Sequence, residues 1–157
     1  MIRKTSKKLL WCRILICLNL AFIWGNSLLP GALSSALSSW VQTVLGAILP
    51  QAEQSQGGFL LRKLAHFSEF ACLGLLCAWF FAMRCRRKGR IAGKALLTGS
   101  LAACTDELIQ LFSPGRCSSP VDVGIDTAGA AVGIAVLFLG HTLYSKRTIK
   151  KHMEELS

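Results

Sequence analysis

Apolar residues gather into four long stretches, Leu9–Leu29, Phe59–Met83, Ile91–Phe112 and Val121–Tyr144. A helix needs about 20 mostly apolar residues to cross the hydrocarbon core of a bilayer. These stretches have that length and are apolar around most of their circumference, not along one stripe. They predict four transmembrane helices. The first stops at Pro30-Gly31, and a long connection, residues 31–58, leads to the second. Within it Leu33, Leu37, Trp40, Val41, Val44, Leu45, Ile48 and Leu49 recur at helical spacing between Pro30 and Pro50, with serines on the other side. That pattern predicts an amphipathic helix lying in the membrane interface, a lid packed over the bundle being the alternative. Gln51–Gly58 reads as a polar linker.

Charge orients the spans. All eighteen Lys and Arg except Arg62, Lys63 and Arg116 fall into three clusters. These are Arg3 to Arg13, Arg84 to Lys94, and Lys146 to Lys151, which occupy alternate connections as the positive-inside rule expects. The expected fold is an all-α integral membrane four-helix bundle, N-in and C-in. Residues 1–8 and 145–157 are basic cytoplasmic tails, and residues 9–144 form the membrane domain with spans 9–29, 59–83, 91–112 and 121–144. The net charge of +10 then faces the anionic inner leaflet, and nucleic acid is not an expected partner. The first span also resembles a signal peptide, with Gly31–Ala36 as a small-residue cleavage region. Its run exceeds a usual signal core, and it is read as a retained anchor. The seven cysteines are odd in number and include no C-x-x-C pair, so neither a disulfide framework nor a zinc-ligand spacing follows.

The chemistry lies in the acids. Of eight carboxylates, Glu69, Asp106, Glu107, Asp122 and Asp126 fall in or at the ends of apolar stretches. A charge at the centre of a span costs about 2.5–3.5 kcal/mol on insertion scales. Lys63, His66 and Glu69 begin the second span, Asp106, Glu107 and Gln110 end the third, and Asp122 and Asp126 open the fourth. Because the third span runs opposite to the second and fourth, all three clusters converge on the outer ends of the helices. Their i, i+3 and i, i+4 spacings place each cluster roughly on one face, turned away from lipid. Five acids against Arg62, Lys63 and Arg116 leave about minus two if His66 is neutral, and buried like charges resist ionisation. Protons, a bound cation or a cationic ligand group are the three ways to balance that excess. Plainer roles stand beside this one: His66 as a satisfied polar group, Lys63 and Arg62 snorkelling, Asp122 favoured by the helix dipole, and Glu107 facing the headgroups. The fourth span also carries Gly129 and Gly133, a G-x-x-x-G that permits close helix contact.

The second-span run K-L-A-H-F-S-E-F, the segment D-E-L-I-Q-L-F-S-P-G-R and the following D-V-G-I-D-T-A-G-A-A-V-G resemble the VanZ-like family in order and spacing. The resemblance extends from about Phe22 to Val136 and takes in Asn26-Ser27. Phe70 stands where the family often has tyrosine. By residue match, Lys63, His66, Glu69, Asp106, Glu107, Gln110, Arg116, Asp122 and Asp126 are the motif positions. The resemblance implies a small multi-pass protein of the bacterial plasma membrane, in a family whose founding member is associated with low-level teicoplanin resistance.

Three functions fit these residues. One is an accessory envelope protein that binds membrane lipids, a cell-wall precursor, an anionic lipid headgroup or a glycopeptide. Another is a membrane-embedded enzyme on envelope lipids, with a divalent cation as an open cofactor and His66, Glu69, Asp106 and Asp126 as candidate metal ligands. H-x-x-E is not the H-E-x-x-H spacing of zinc proteases, and no nucleophile motif is present, so the enzyme class stays undecided. The last is a proton-coupled transporter, for which four spans are few and an oligomer would be needed.

Overall fold

A computed structural model describes residues 2–48 and 57–154. These form five helices and, among the described residues, no strand: α1 (Ile2–Leu28), α2 (Gly31–Ile48), α3 (Gly57–Ala82), α4 (Lys88–Gln110) and α5 (Pro120–Glu154). Leu49 and most of the linker expected over Gln51–Gly58 lie outside the described residues. Three helices are long and apolar enough to cross a membrane, over Lys7–Leu28, Leu60–Ala82 and Pro120–Thr148. The third predicted span corresponds to α4, which is not among them. It carries Lys88, Arg90 and Lys94 at its start and Asp106 and Glu107 near its end.

Local chemistry sets the helix ends. Pro30 restricts Leu29 and offers no N–H, so α1 stops before it. Pro120 opens α5, where a missing N–H is harmless, and the Ser119 hydroxyl accepts from the Val121 N–H at 3.2 Å. Between α4 and α5 the chain turns through Ser113-Pro114-Gly115. Gly115 has φ of 73°, a conformation that favours glycine.

α3 is the centre of the fold, lying against α1, α2, α4 and α5. Its tightest partner is α5. A Cβ at Gly129 would collide with the Phe67 carbonyl, one at Gly133 with the Ala71 carbonyl, and one at Gly74 with the backbone of Ala130. The G-x-x-x-G is therefore the surface on which the two backbones meet. Along α3 and α5 the buried apolar residues are Phe70, Leu73, Cys77, Ala78, Ala130 and Ile134. α4 divides into two faces, with Gly99, Ala103, Asp106 and Gln110 buried and Leu97, Leu101 and Leu108 exposed. Leu10, Trp11, Leu18 and Phe22 of α1 are exposed as well, as are Leu33, Leu37, Trp40 and Val44 of α2.

The glycine contact makes a direct prediction. Gly133→Ala forces a methyl into the α3 backbone, at an expected cost of about 1–3 kcal/mol. Among the described residues, Gly140 has nothing within 4 Å of the same position, so Gly140→Ala should be close to neutral. Thermal unfolding of the two variants in one detergent compares them directly. Equal melting temperatures would mean that the α3–α5 contact is not close.

Candidate functional site

The end of α1, the end of α4 and the beginnings of α3 and α5 meet at one end of the bundle. At about 1.5 Å per residue, His66 lies roughly 14 Å and Glu69 roughly 18 Å along α3 from Gly57, so the polar side chains reach well into the bundle. Asp106, Glu107 and Asp126 are 0%, 4% and 2% exposed. Gln110 is also buried, and Lys63, His66, Glu69, Arg116 and Asp122 are partly buried.

The hydrogen bonds join elements far apart in sequence. Asn26 Nδ2 donates to Glu69 Oε1 at 3.0 Å. Gln110 Nε2 donates to Asp106 Oδ2 at 2.8 Å and, more distantly, to the Ser27 hydroxyl at 3.4 Å. The Ser113 hydroxyl donates to the Ser27 carbonyl at 2.7 Å. The Ser119 N–H donates to Glu107 Oε2 at 2.7 Å. Lys63 Nζ forms an ion pair with Asp122, joining the second turn of α3 to the first turn of α5. His66 Nδ1 stands 4.0 Å from both Glu69 Oε2 and Asp106 Oδ2. Among the described residues, four buried atoms here have no hydrogen-bond partner: His66 Nδ1, Glu69 Oε2, Asp106 Oδ1 and Glu107 Oε1.

Arg116 has a role that its spacing does not reveal. Its Nε donates to the Leu29 carbonyl at 3.1 Å and its Nη2 to the Asn26 carbonyl at 2.8 Å. The guanidinium thus fastens the α4–α5 loop to the end of α1, whose last carbonyls have no partner within the helix. Burial, with Arg62 nearby, lowers the pKa of this guanidinium, while Asp106, Glu107 and Glu69 act in the opposite direction. It is a neighbour of the acids, and its hydrogen bonds go to main-chain carbonyls.

A cavity of about 340 Å³ opens among these groups. Arg62, Lys63, His66, Glu107, Arg116 and Asp126 line it, and so do Gln110 and Asp122. Eight of the nine motif positions are thus at its wall or directly hydrogen-bonded to a wall residue; Asp106, though not a wall residue, is held by Gln110. Glu69 stands one step behind, beside His66. His66, Asp106 and Asp126 each offer one ligand atom, all within 4.8 Å of one another. The sequence signals less about Ser27, Ser113, Cys117 and Ser119. Ser27 and Ser113 join the network, and Cys117 and Ser119 line the cavity. Short hydroxyl and thiol side chains in loops or at a helix end carry no periodicity that would mark them.

Three apolar helices around a buried polar cluster define a membrane protein. A model of the VanZ/LLP1 family matches residues 9–141, most of the chain, and the protein belongs to that family. No match was found among curated proteins or among solved structures.

Proposed function

We propose that this is a multi-pass protein of the bacterial plasma membrane whose cavity holds the anionic phosphate headgroup of an envelope lipid or lipid-linked cell-wall precursor. By doing so it alters envelope properties and susceptibility to teicoplanin-type glycopeptides. The observation that carries this reading is the layering of charge in one cavity. Arg62, Lys63 and Arg116 line it from α3 and the α4–α5 loop, and Asp126 and Glu107 lie buried beside them. Cationic side chains recognise phosphate by charge-assisted hydrogen bonds. The N-termini of α3 and α5 open at the same end and add positive potential. The volume lies at the lower end of ligand pockets, suited to a headgroup rather than a whole glycopeptide.

On this reading α4 is a fourth span. Its exposed stripe of Leu97, Leu101 and Leu108 faces lipid, and its charged ends reach the two interfaces. Both termini are cytoplasmic, the cavity faces outward, and α2 rests in the outer interface on its exposed leucines and Trp40.

Two measurements test the proposal. In single-cysteine versions expressed in intact cells, a membrane-impermeant thiol reagent should label Cys117 and spare Cys85. Labelling of Cys85 alone would reverse the orientation. Native mass spectrometry of the purified protein should show preferential retention of phosphatidylglycerol over phosphatidylcholine, reduced about tenfold or more in Arg62→Gln/Lys63→Gln, the loss of charged hydrogen bonds worth about 1.5–3 kcal/mol each. Equal retention of both lipids, unchanged in the double variant, would refute a phosphate site.

A further inference from the structure

We propose that His66, Asp106 and Asp126 form a binding site for one divalent cation of the zinc or manganese class, with an open coordination position facing the cavity. The proposal goes beyond the headgroup reading and stands without it.

The donors come from three helices, α3, α4 and α5, and their ligand atoms all lie within 4.8 Å of one another. The centre of a triangle of that edge is about 2.8 Å from each corner, while zinc binds imidazole nitrogen and carboxylate oxygen at about 2.0–2.2 Å. Each donor therefore needs to move inward by less than about 1 Å, within reach of small χ rotations.

A second observation comes from the buried atoms. Asp106 is fully buried. Its Oδ2 is held by Gln110 Nε2, yet among the described residues its Oδ1 has no hydrogen-bond partner, and neither does the buried His66 Nδ1. A buried acceptor left without a partner is destabilising, and more so when charged. Two carboxylates and an imidazole crowded together, with unsatisfied atoms among them, are what a cation would satisfy. Arg116, the nearby loop cation, directs two of its N–H donors to the carbonyls of Leu29 and Asn26 and not to these carboxylates.

The donor set narrows the class of ion. One imidazole with two carboxylates suits zinc or manganese better than magnesium or calcium, which prefer oxygen alone, or copper(I), which prefers sulfur. Gln110 fixes the Asp106 carboxylate as outer partners of metal ligands do. Glu69, the fourth candidate in the sequence, is turned to Asn26 and stands beside the trio. Both His66 and Asp126 line the cavity. Three protein ligands with one side open is the arrangement of metal sites that bind a further group, in contrast to closed structural sites.

The test uses the full chain in lipid nanodiscs, stripped with a chelator and then titrated with Mn²⁺ alone, an ion for which the seven free cysteines compete poorly. Mass-spectrometric metal content after desalting should give about one ion per chain, with a rise in melting temperature. Asp106→Asn, Asp126→Asn and His66→Gln should each weaken binding by about 100-fold or more, and Gln110→Ala by about 10- to 100-fold. Helix content by circular dichroism checks that each variant is folded. The Asn variants keep the side-chain shape, so they decide the matter if His66→Gln misfolds. Failure of the parent to bind millimolar Mn²⁺ would overturn the proposal. So would binding that persists in both Asn variants. Lipid retention by the chelated parent is measured in parallel, so that loss of the cation site and loss of the headgroup site are separate outcomes.

Discussion

Asp106→Asn and Asp126→Asn are each expected to leave membrane abundance at the parent's level or above it while abolishing complementation of a deletion strain. Both carboxylates are buried at the same end of the bundle, together with Glu107 and near Glu69. Removing one charge relieves repulsion among the rest. Asparagine keeps the size of aspartate and, at position 106, an oxygen to accept from Gln110 Nε2, whose present bond is 2.8 Å. Stability in the absence of added metal should therefore stay within about 1 kcal/mol of the parent or rise, as for substitutions that open no cavity and strand no charge. Teicoplanin susceptibility and envelope lipid composition should nevertheless match the deletion. The readouts are immunoblotting of membranes, thermal unfolding in detergent and the deletion phenotype. If these acids serve only to hold helices together, stability and function will fall in step. Normal complementation by both variants would remove the acids from the functional site.

The second large effect is expected at Arg116. Arg116→Ala removes two charge-assisted hydrogen bonds, at 3.1 and 2.8 Å, each worth about 1.5–3 kcal/mol. It also strands the Leu29 carbonyl, while the Asn26 carbonyl keeps the Leu29 N–H at 3.2 Å. We expect a loss of about 3 kcal/mol, allowing for water that replaces part of the donation. Arg116→Lys should recover less than half, because an ammonium lacks the planar fork that reaches two carbonyls at once. Chemical denaturation followed by circular dichroism measures both. If the lysine variant is as stable as the parent, positive charge rather than the fork is what the loop requires.

Arg116 also marks what the sequence can and cannot reveal. Its place among the acids was legible from topology, because the residues between α4 and α5 must sit where α4 ends. Its partners were not, since a carbonyl is the same at every residue and no pattern announces which one an arginine will reach. Lys63 is the opposite case. The sequence left it between snorkelling and pairing with an acid, and its ion pair is with Asp122, one of the two acids that open α5. The helices themselves were readable because apolar runs and prolines act locally. α2 falls where the spacing of Leu33, Leu37, Trp40 and Val44 predicts a helix, between Pro30 and the residues before Pro50. α4 was harder to classify. Its lipid-like face and its polar face average out in composition, and only the packing separates Leu97, Leu101 and Leu108 from Ala103, Asp106 and Gln110. The unsatisfied atoms of His66 and Asp106 were beyond any sequence pattern, because they depend on distances between side chains of different helices.

The glycine contact between α3 and α5 bears on how the protein is made. The two helices run in the same direction, as both begin at the polar end, and α4 must return between them. When α3 leaves the ribosome its closest partner does not yet exist, and Glu69 and His66 emerge before Asp106 and Asp126. Until α5 arrives, α3 must wait with polar side chains near its start and no glycine face to lie against. Assembly of this end is therefore a late event in biogenesis, and a nascent chain halted before Gly129 should be a substrate for quality-control proteases.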